Sequence, residues 1–301
     1  MKIDLGFRGV IKYLYSASRL YAGMPLSEAF VDMTLKGDVR RVLVVTGFKV
    51  LPRMIQETDG PPGVSVLARV LIDLGLDVAF AIEEDSVEIL KACLEVLGIK
   101  GKVYAMPIGV ELDHLAKEVL NEFRADLLIF VEKAGCNERG VYHNMLGIDI
   151  SRHHAKAEAL LSEAKHRGIK VLSIGDGGNE VGFGLIKNAV ELYVPRGRDC
   201  GCPCRGGIAA SSKADLVIPA FTSNAGCYAL SCALSIAGGV KWPHNEEIEM
   251  KMLKAAVDAG AFDGMTGEVS MRVDGIPAEV MCSIVKILQH ITESSRGRLK
   301  L

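Results

Sequence analysis

Six short runs of apolar residues recur along the chain without polar alternation. They are Val42–Thr46 (VLVVT), Val78–Ile82 (VAFAI), Lys102–Met106 (KVYAM), Leu127–Val131 (LLIFV), Val171–Ile174 (VLSI) and Leu216–Pro219 (LVIP). A strand with one wet face alternates apolar and polar residues. A continuous apolar run belongs to a strand buried on both faces, as in a parallel sheet covered by helices. The segments between the runs carry helical patterns: Val64–Leu74, Asp85–Leu97, Glu111–Phe123, His153–Arg167, Asn224–Ile236, Asn245–Ala259 and Pro277–Glu293. Pro61-Pro62-Gly63 suits the start of the first. Asp85 is placed to cap the second, which closes at Gly98. Tyr13–Leu35 reads as a helix packed outside the sheet. The expectation is an α/β chain with a Rossmann-like, doubly wound, mostly parallel sheet, helices on both faces and helical additions at the termini. With no short-period repeat or long linker, one domain over residues 1–301 is the simplest organisation.

In such sheets ligands bind at loops delivered by the carboxyl ends of the strands. After VLVVT the chain passes Thr46 and Gly47 and reaches Glu57-Thr58-Asp59-Gly60-Pro61-Pro62-Gly63. Carboxylates next to a helix start suit an ammonium group or a metal ion, and the helix N–H groups suit an anion. A plain Asp-Gly turn stiffened by prolines explains the segment equally well. After LLIFV comes Glu132-Lys133-Ala134-Gly135-Cys136-Asn137, then a polar loop with Tyr142, His143 and Asn144. Polar loops of this length in compact domains usually carry function.

After VLSI comes Gly175-Asp176-Gly177-Gly178-Asn179-Glu180-Val181-Gly182-Phe183-Gly184. Its glycines permit close backbone approach to a ligand. Asn179 and Glu180 read as the start of a helix, whose N–H donors would converge on the same point. After LVIP, Thr222-Ser223-Asn224 opens a helix as an N-cap or as ligand contacts. Phe262–Gly267 reads first as a structural turn between helical patterns, with Asp263 able to reach the site as the alternative.

The balance of 35 basic and 37 acidic residues, formally −2, gives no electrostatic reason to expect nucleic acid or an anionic membrane as partner. The longest weakly polar stretch, Gly226 to Val240, is shorter than the roughly 18 residues of a membrane span. The N-terminal residues lack the continuous apolar core of a signal peptide, so the cytoplasm is the expected location. The expected partner is a small amino acid or carboxylate, with a homo-oligomer left open. Of eight cysteines, Cys200, Cys202 and Cys204 cluster. They lack the second pair of a standard zinc site, so a free or disulfide-linked surface loop is favoured over a metal site.

Taken in order, ETDGPPG (57–63), EKAGCNERGVYHNMLG (132–147), GDGGNEVGFG (175–184) and SNAGCYAL (223–230) resemble the D-glutamate cyclase family, over roughly Gly23 to Gly267. The Cys200–Cys204 cluster departs from the usual pattern. The resemblance implies a hydro-lyase that closes D-glutamate to 5-oxo-D-proline with loss of water. That reaction needs a base for the ammonium and donors for the carboxylate oxygens. On this reading Asp176 or Glu180 is the base, with Asn179 beside them. Glu57 and Asp59 hold the ammonium or, with Asp176, a divalent cation such as Mg or Mn. Thr46, Thr58, Glu132, Lys133, Asn137, Gly177, Gly178, Ser223 and Asn224 contact substrate, and Tyr142 and Asn144 orient it. Two rival readings remain: a metal-assisted hydrolase or phosphoryl-transfer enzyme, and a non-catalytic small-molecule binder on the same fold. No G-x-x-x-x-G-K-[ST] pattern is present, which counts against a P-loop enzyme.

Overall fold

The computed structural model describes residues 9–298. All six apolar runs are strands of one parallel sheet: β1 (Arg41–Gly47), β2 (Asp77–Glu83), β3 (Val103–Met106), β4 (Leu127–Lys133), β5 (Lys170–Gly175) and β6 (Leu216–Pro219). Their spatial order is β3-β2-β1-β4-β5-β6, that of the Rossmann doubly wound fold. Alternate residues of each run sort to opposite faces. Val42, Val44, Leu127, Ile129 and Leu172 join one core, while Leu43, Val45, Leu128, Phe130 and Val171 join the other. Two-sided burial is thus the physical reason that the runs do not alternate.

The helices are α1 (Ile11–Ala22), α2 (Leu26–Leu35), α3 (Pro61–Asp73), α4 (Val87–Val96), α5 (Asp113–Phe123), α6 (Glu158–His166), α7 (Lys187–Tyr193), α8 (Ser223–Gly238), α9 (Glu246–Asp258) and α10 (Ala278–Arg298). Residues of α3, α4, α8, α9 and α10 fill the first core, and residues of α5, α6 and α7 fill the second. None of the described helices is long and apolar enough to cross a membrane.

Several boundaries differ from the sequence reading. Tyr13–Leu35 is two helices, because Gly23 ends α1 in the left-handed region at φ 69° and Pro25 precedes α2. Asp85 sits in a single 3₁₀ turn, where its carboxylate takes the Lys49 ammonium instead of capping α4. The helix expected from His153 starts at Glu158, after a 3₁₀ turn at Ser151–His153. Asn179 and Glu180 do not begin a helix. They close a tight turn, and α7 forms only at Lys187.

Strand order reverses between β1 and β4, so their outgoing loops diverge and leave a crevice at their carboxyl ends. The β1–β4 register shifts between Thr46 and Gly47, and Glu132 takes φ 42° there. A left-handed conformation costs a non-glycine residue about 1–2 kcal/mol. Such a bulge breaks the in–out alternation of a strand and re-aims its side chains. Here it sends adjacent Glu132 and Lys133 to different partners.

Candidate active site

Carboxyl groups from separate loops meet at this crevice. Ligating oxygens of Asp59, Asp176 and Asp274 lie within 4.8 Å of one another. Those of Glu132, Asp176 and Glu180 do the same, which makes Asp176 the shared member. Glu57 lies against the same group, since a Cβ built on Gly264 would strike both its Oε2 and Asp274 Oδ1. Asp59 follows β1, Glu132 ends β4, Asp176 and Glu180 follow β5, and Asp274 sits in a hairpin turn before α10.

Each carboxyl is held by its own scaffold. Asp59 lies at the N-terminus of α8, where Ser223 N–H donates to Oδ2 (2.6 Å) and Asn224 N–H to Oδ1 (2.7 Å). A helix N-terminus favours negative charge at that point. The Ser223 hydroxyl donates to Glu132 Oε2 (2.6 Å). Glu180 folds back under its own turn. Its Oε1 accepts from the N–H groups of Asp176 (2.8 Å) and Gly177 (2.6 Å), and its Oε2 accepts from Gly178 (2.7 Å). Those three amides form a nest closed from inside by Glu180, leaving Asp176 at its rim. Asp263 plays the matching part for Asp274, because its Oδ1 accepts from Gly275 N–H (2.7 Å) and its Oδ2 from Thr266.

Gathering carboxyls in a buried site disfavours their charged forms. Burial, then the neighbouring Asp176 charge, pushes Asp59 up to about 7. The same causes in the same order push Glu180 up to about 7. Glu132 and Asp274 are raised well above the usual carboxylate range, first by burial and then by Asp176. Asp176 is the neighbour common to all four shifts, second in each to burial.

Other residues singled out in the sequence shape the walls. Asn224 Oδ1 accepts from Gly60 (2.9 Å) and Gly63 (2.8 Å), and its Nδ2 donates to the Thr58 carbonyl (3.0 Å), locking α8 to the ETDGPPG turn. Gly63 has to be glycine: a Cβ there would sit 2.8 Å from Asn224 Cα. Thr222, not Ser223 or Asn224, is the N-cap of α8. Thr46 Oγ1 is buried beneath Gly60 and has no hydrogen-bond partner among the described residues. The Thr58 hydroxyl donates to the Arg272 carbonyl. Asn179 Nδ2 donates to the His143 carbonyl (2.7 Å), tying the glycine-rich turn to the loop after β4.

Four expected substrate contacts are committed elsewhere. Lys133 is fully buried in an ion pair with Glu83 and also donates to the Gly47 carbonyl. The Tyr142 hydroxyl donates to Glu158. Asn137 holds Gly207, Arg139 and Val141, and Asn144 holds Leu146 and Ile148. These four side chains order the loops around the crevice. Asp274, in contrast, joins the carboxyl group without having been singled out. Its only sequence signal is the Asp-Gly turn pair that it forms with Gly275.

The family model described as D-glutamate cyclase-like, C-terminal, matches residues 1–289. The chain belongs to this family. All four motif segments and the carboxyls they bring together lie inside the match. The human protein named "D-glutamate cyclase, mitochondrial" is 30% identical over 91% of this D-glutamate cyclase-like chain. The chain spans about half the length of that relative, 48%. Among solved structures, a short-chain dehydrogenase/reductase from Serratia marcescens aligns with 16% identity and a TM-score of 0.28, over 46% of this chain and 56% of that one.

Proposed function

We propose that the chain is a D-glutamate cyclase-like hydro-lyase acting on D-glutamate or a closely related amino acid, with the crevice carboxyls as its catalytic machinery. The observation that carries this reading is the placement of Asp176 against both carboxyl groupings. Ring closure to 5-oxoproline moves two protons. The α-ammonium loses both as it becomes a lactam N–H, and the departing carboxylate oxygen takes both as it leaves as water. A site for this chemistry needs one group that accepts a proton and a neighbour that donates one near neutral pH. Asp176 beside Asp59, Glu132 and Asp274, whose carboxyls are raised by burial first, supplies that pair.

In this reading the ammonium enters among the carboxyl oxygens of Asp59, Asp176 and Glu57. Asp176 takes the first proton, and the freed nitrogen attacks Cδ within the same molecule. Well-oriented intramolecular attack can remove about 7–11 kcal/mol of barrier. The N–Cδ bond forms, the Cδ–O bond breaks, and the oxygen leaves as water with two protons, one from a protonated neighbour and one returned by Asp176, while the nitrogen's second proton restores the neighbour. Glu180 is a positioning residue, because its oxygens are occupied by the amides that hold Asp176. The oxygen donors of Asp59, Asp176 and Asp274 also suit a hard divalent cation such as Mg or Mn. When bound, such an ion supplies positive charge to polarise the reacting carboxylate.

The test is incubation with D-glutamate and, separately, L-glutamate, with 5-oxoproline measured by mass spectrometry in the presence of Mn²⁺, Mg²⁺ or EDTA. Product from the D isomer supports the reading. Binding without product favours a non-catalytic receptor. Thermal stabilisation by nucleotides and none by D-glutamate favours a phosphoryl-transfer enzyme.

A further inference from the structure

Away from the carboxyls, the cysteine cluster finds a fourth partner in a distant loop. Cys200 Sγ lies 3.2 Å from Cys202 Sγ and 3.5 Å from Cys204 Sγ. His143 Nε2 lies 3.2 Å from Cys202 Sγ and 3.5 Å from Cys204 Sγ. All four atoms fall within 4.8 Å of one another. The sulfurs are too far apart for a disulfide, whose bond is about 2.05 Å. Zinc–sulfur bonds of about 2.3 Å and zinc–nitrogen bonds of about 2.0 Å give a tetrahedron with edges of roughly 3.5–3.8 Å. The four separations given come within roughly 0.6 Å of those edges.

A second observation points the same way. Backbone N–H groups aim at the sulfurs: Cys204 N–H at Cys202 Sγ (3.4 Å) and Gly206 N–H at Cys204 Sγ (3.4 Å). Asn137 Nδ2 adds a donor 3.5 Å from Cys204 Sγ. A neutral thiol is a weak acceptor, whereas a metal-bound thiolate benefits from each such donor. The loop is also docked before any ligand is considered. Arg196 donates to the Cys200 carbonyl (2.9 Å), and a Cβ on Gly147 would meet that same oxygen.

We propose that His143, Cys200, Cys202 and Cys204 form a closed Cys₃His structural site for zinc. Four protein ligands leave no open position, so the site is a staple and not a second catalytic centre. Three thiols lose their protons as the metal binds. The staple joins the 199–206 loop to the loop after β4. His143 passes the restraint on, because its carbonyl accepts from Asn179 in the Asp176 turn. The sequence alone hid the site, since its fourth ligand stands 57 residues before Cys200 and matches no metal-ligand spacing.

The experiment is metal analysis of the purified full chain, grown with zinc and dialysed, joined to cobalt reconstitution of the same chain. One zinc per chain is expected, retained in Asp176→Asn and lost in Cys202→Ser and His143→Ala. His143→Cys, which keeps a fourth ligand, should retain it. Cobalt should give sulfur-to-metal charge-transfer absorption, which oxygen ligands at the carboxyl crevice do not produce. If a serine variant fails to fold, the cobalt spectrum of the unmodified chain still decides. Fully reduced protein that binds no zinc and gives no such absorption overturns the proposal. So does a disulfide mapped between two of the three cysteines.

Discussion

Asp176 and Glu180 stand four residues apart in one turn, yet the structure gives them opposite tasks. Both oxygens of Glu180 accept backbone N–H groups. An amide side chain at that position would turn an NH₂ group against at least one donor. Glu180→Gln should therefore cost about 1–3 kcal/mol of stability, read as a lower unfolding midpoint in urea. An unchanged midpoint would show that the nest does not depend on this carboxylate. Asp176→Asn should act in the other direction on stability, because it removes the charge that raises Asp59, Glu132, Glu180 and Asp274. A higher melting temperature with turnover lowered by about 10²–10⁴-fold is expected from loss of a general base. This is the usual trade between a strained functional site and stability.

At the scale of elements, the six strands were legible because two-sided burial writes itself into sequence as unbroken apolar runs. The strand-end loops were legible as well, since glycine, proline and acidic residues mark them as turns with chemistry attached. The direction of side chains within those loops was not. Glu132 and Lys133 are neighbours in sequence, yet beside a register shift at Thr46/Gly47, with Glu132 in the left-handed region, one takes Ser223 and the other Glu83. Tyr142 is expected to orient the substrate, but Glu158, 16 residues away, takes its hydroxyl. Long-range partners of this kind leave no local pattern. One glycine does report on element contact: a Cβ on Gly135 would lie 2.6 Å from the Val181 backbone nitrogen. Gly135→Ala should push the β4 loop off the Asp176 turn and cost about 1–3 kcal/mol. The chemical-denaturation midpoint reads this directly, and a value equal to that of the unmodified chain would contradict the close packing.

For the whole molecule, concentrating acid groups in one crevice makes stability depend on pH and on cations. Asp59 and Glu180 titrate near 7 in the folded chain, against usual values of 3.8 and 4.5. The folded state thus binds more protons than the unfolded chain between about pH 4 and pH 7, and its stability falls as pH rises through that window. In EDTA the melting temperature should drop from pH 5 to pH 8. Mn²⁺ or D-glutamate should restore it at pH 8, since each places positive charge among the carboxyls. A melting temperature that rises across the same window would mean that these carboxyls are not raised.

The crevice account is tested most directly by mass-spectrometric detection of 5-oxoproline from D-glutamate, run side by side on the unmodified chain and on Asp176→Asn. The account predicts product from the first, and a loss of at least about 10²-fold in the second while it remains folded. Equal rates from the two proteins would contradict it.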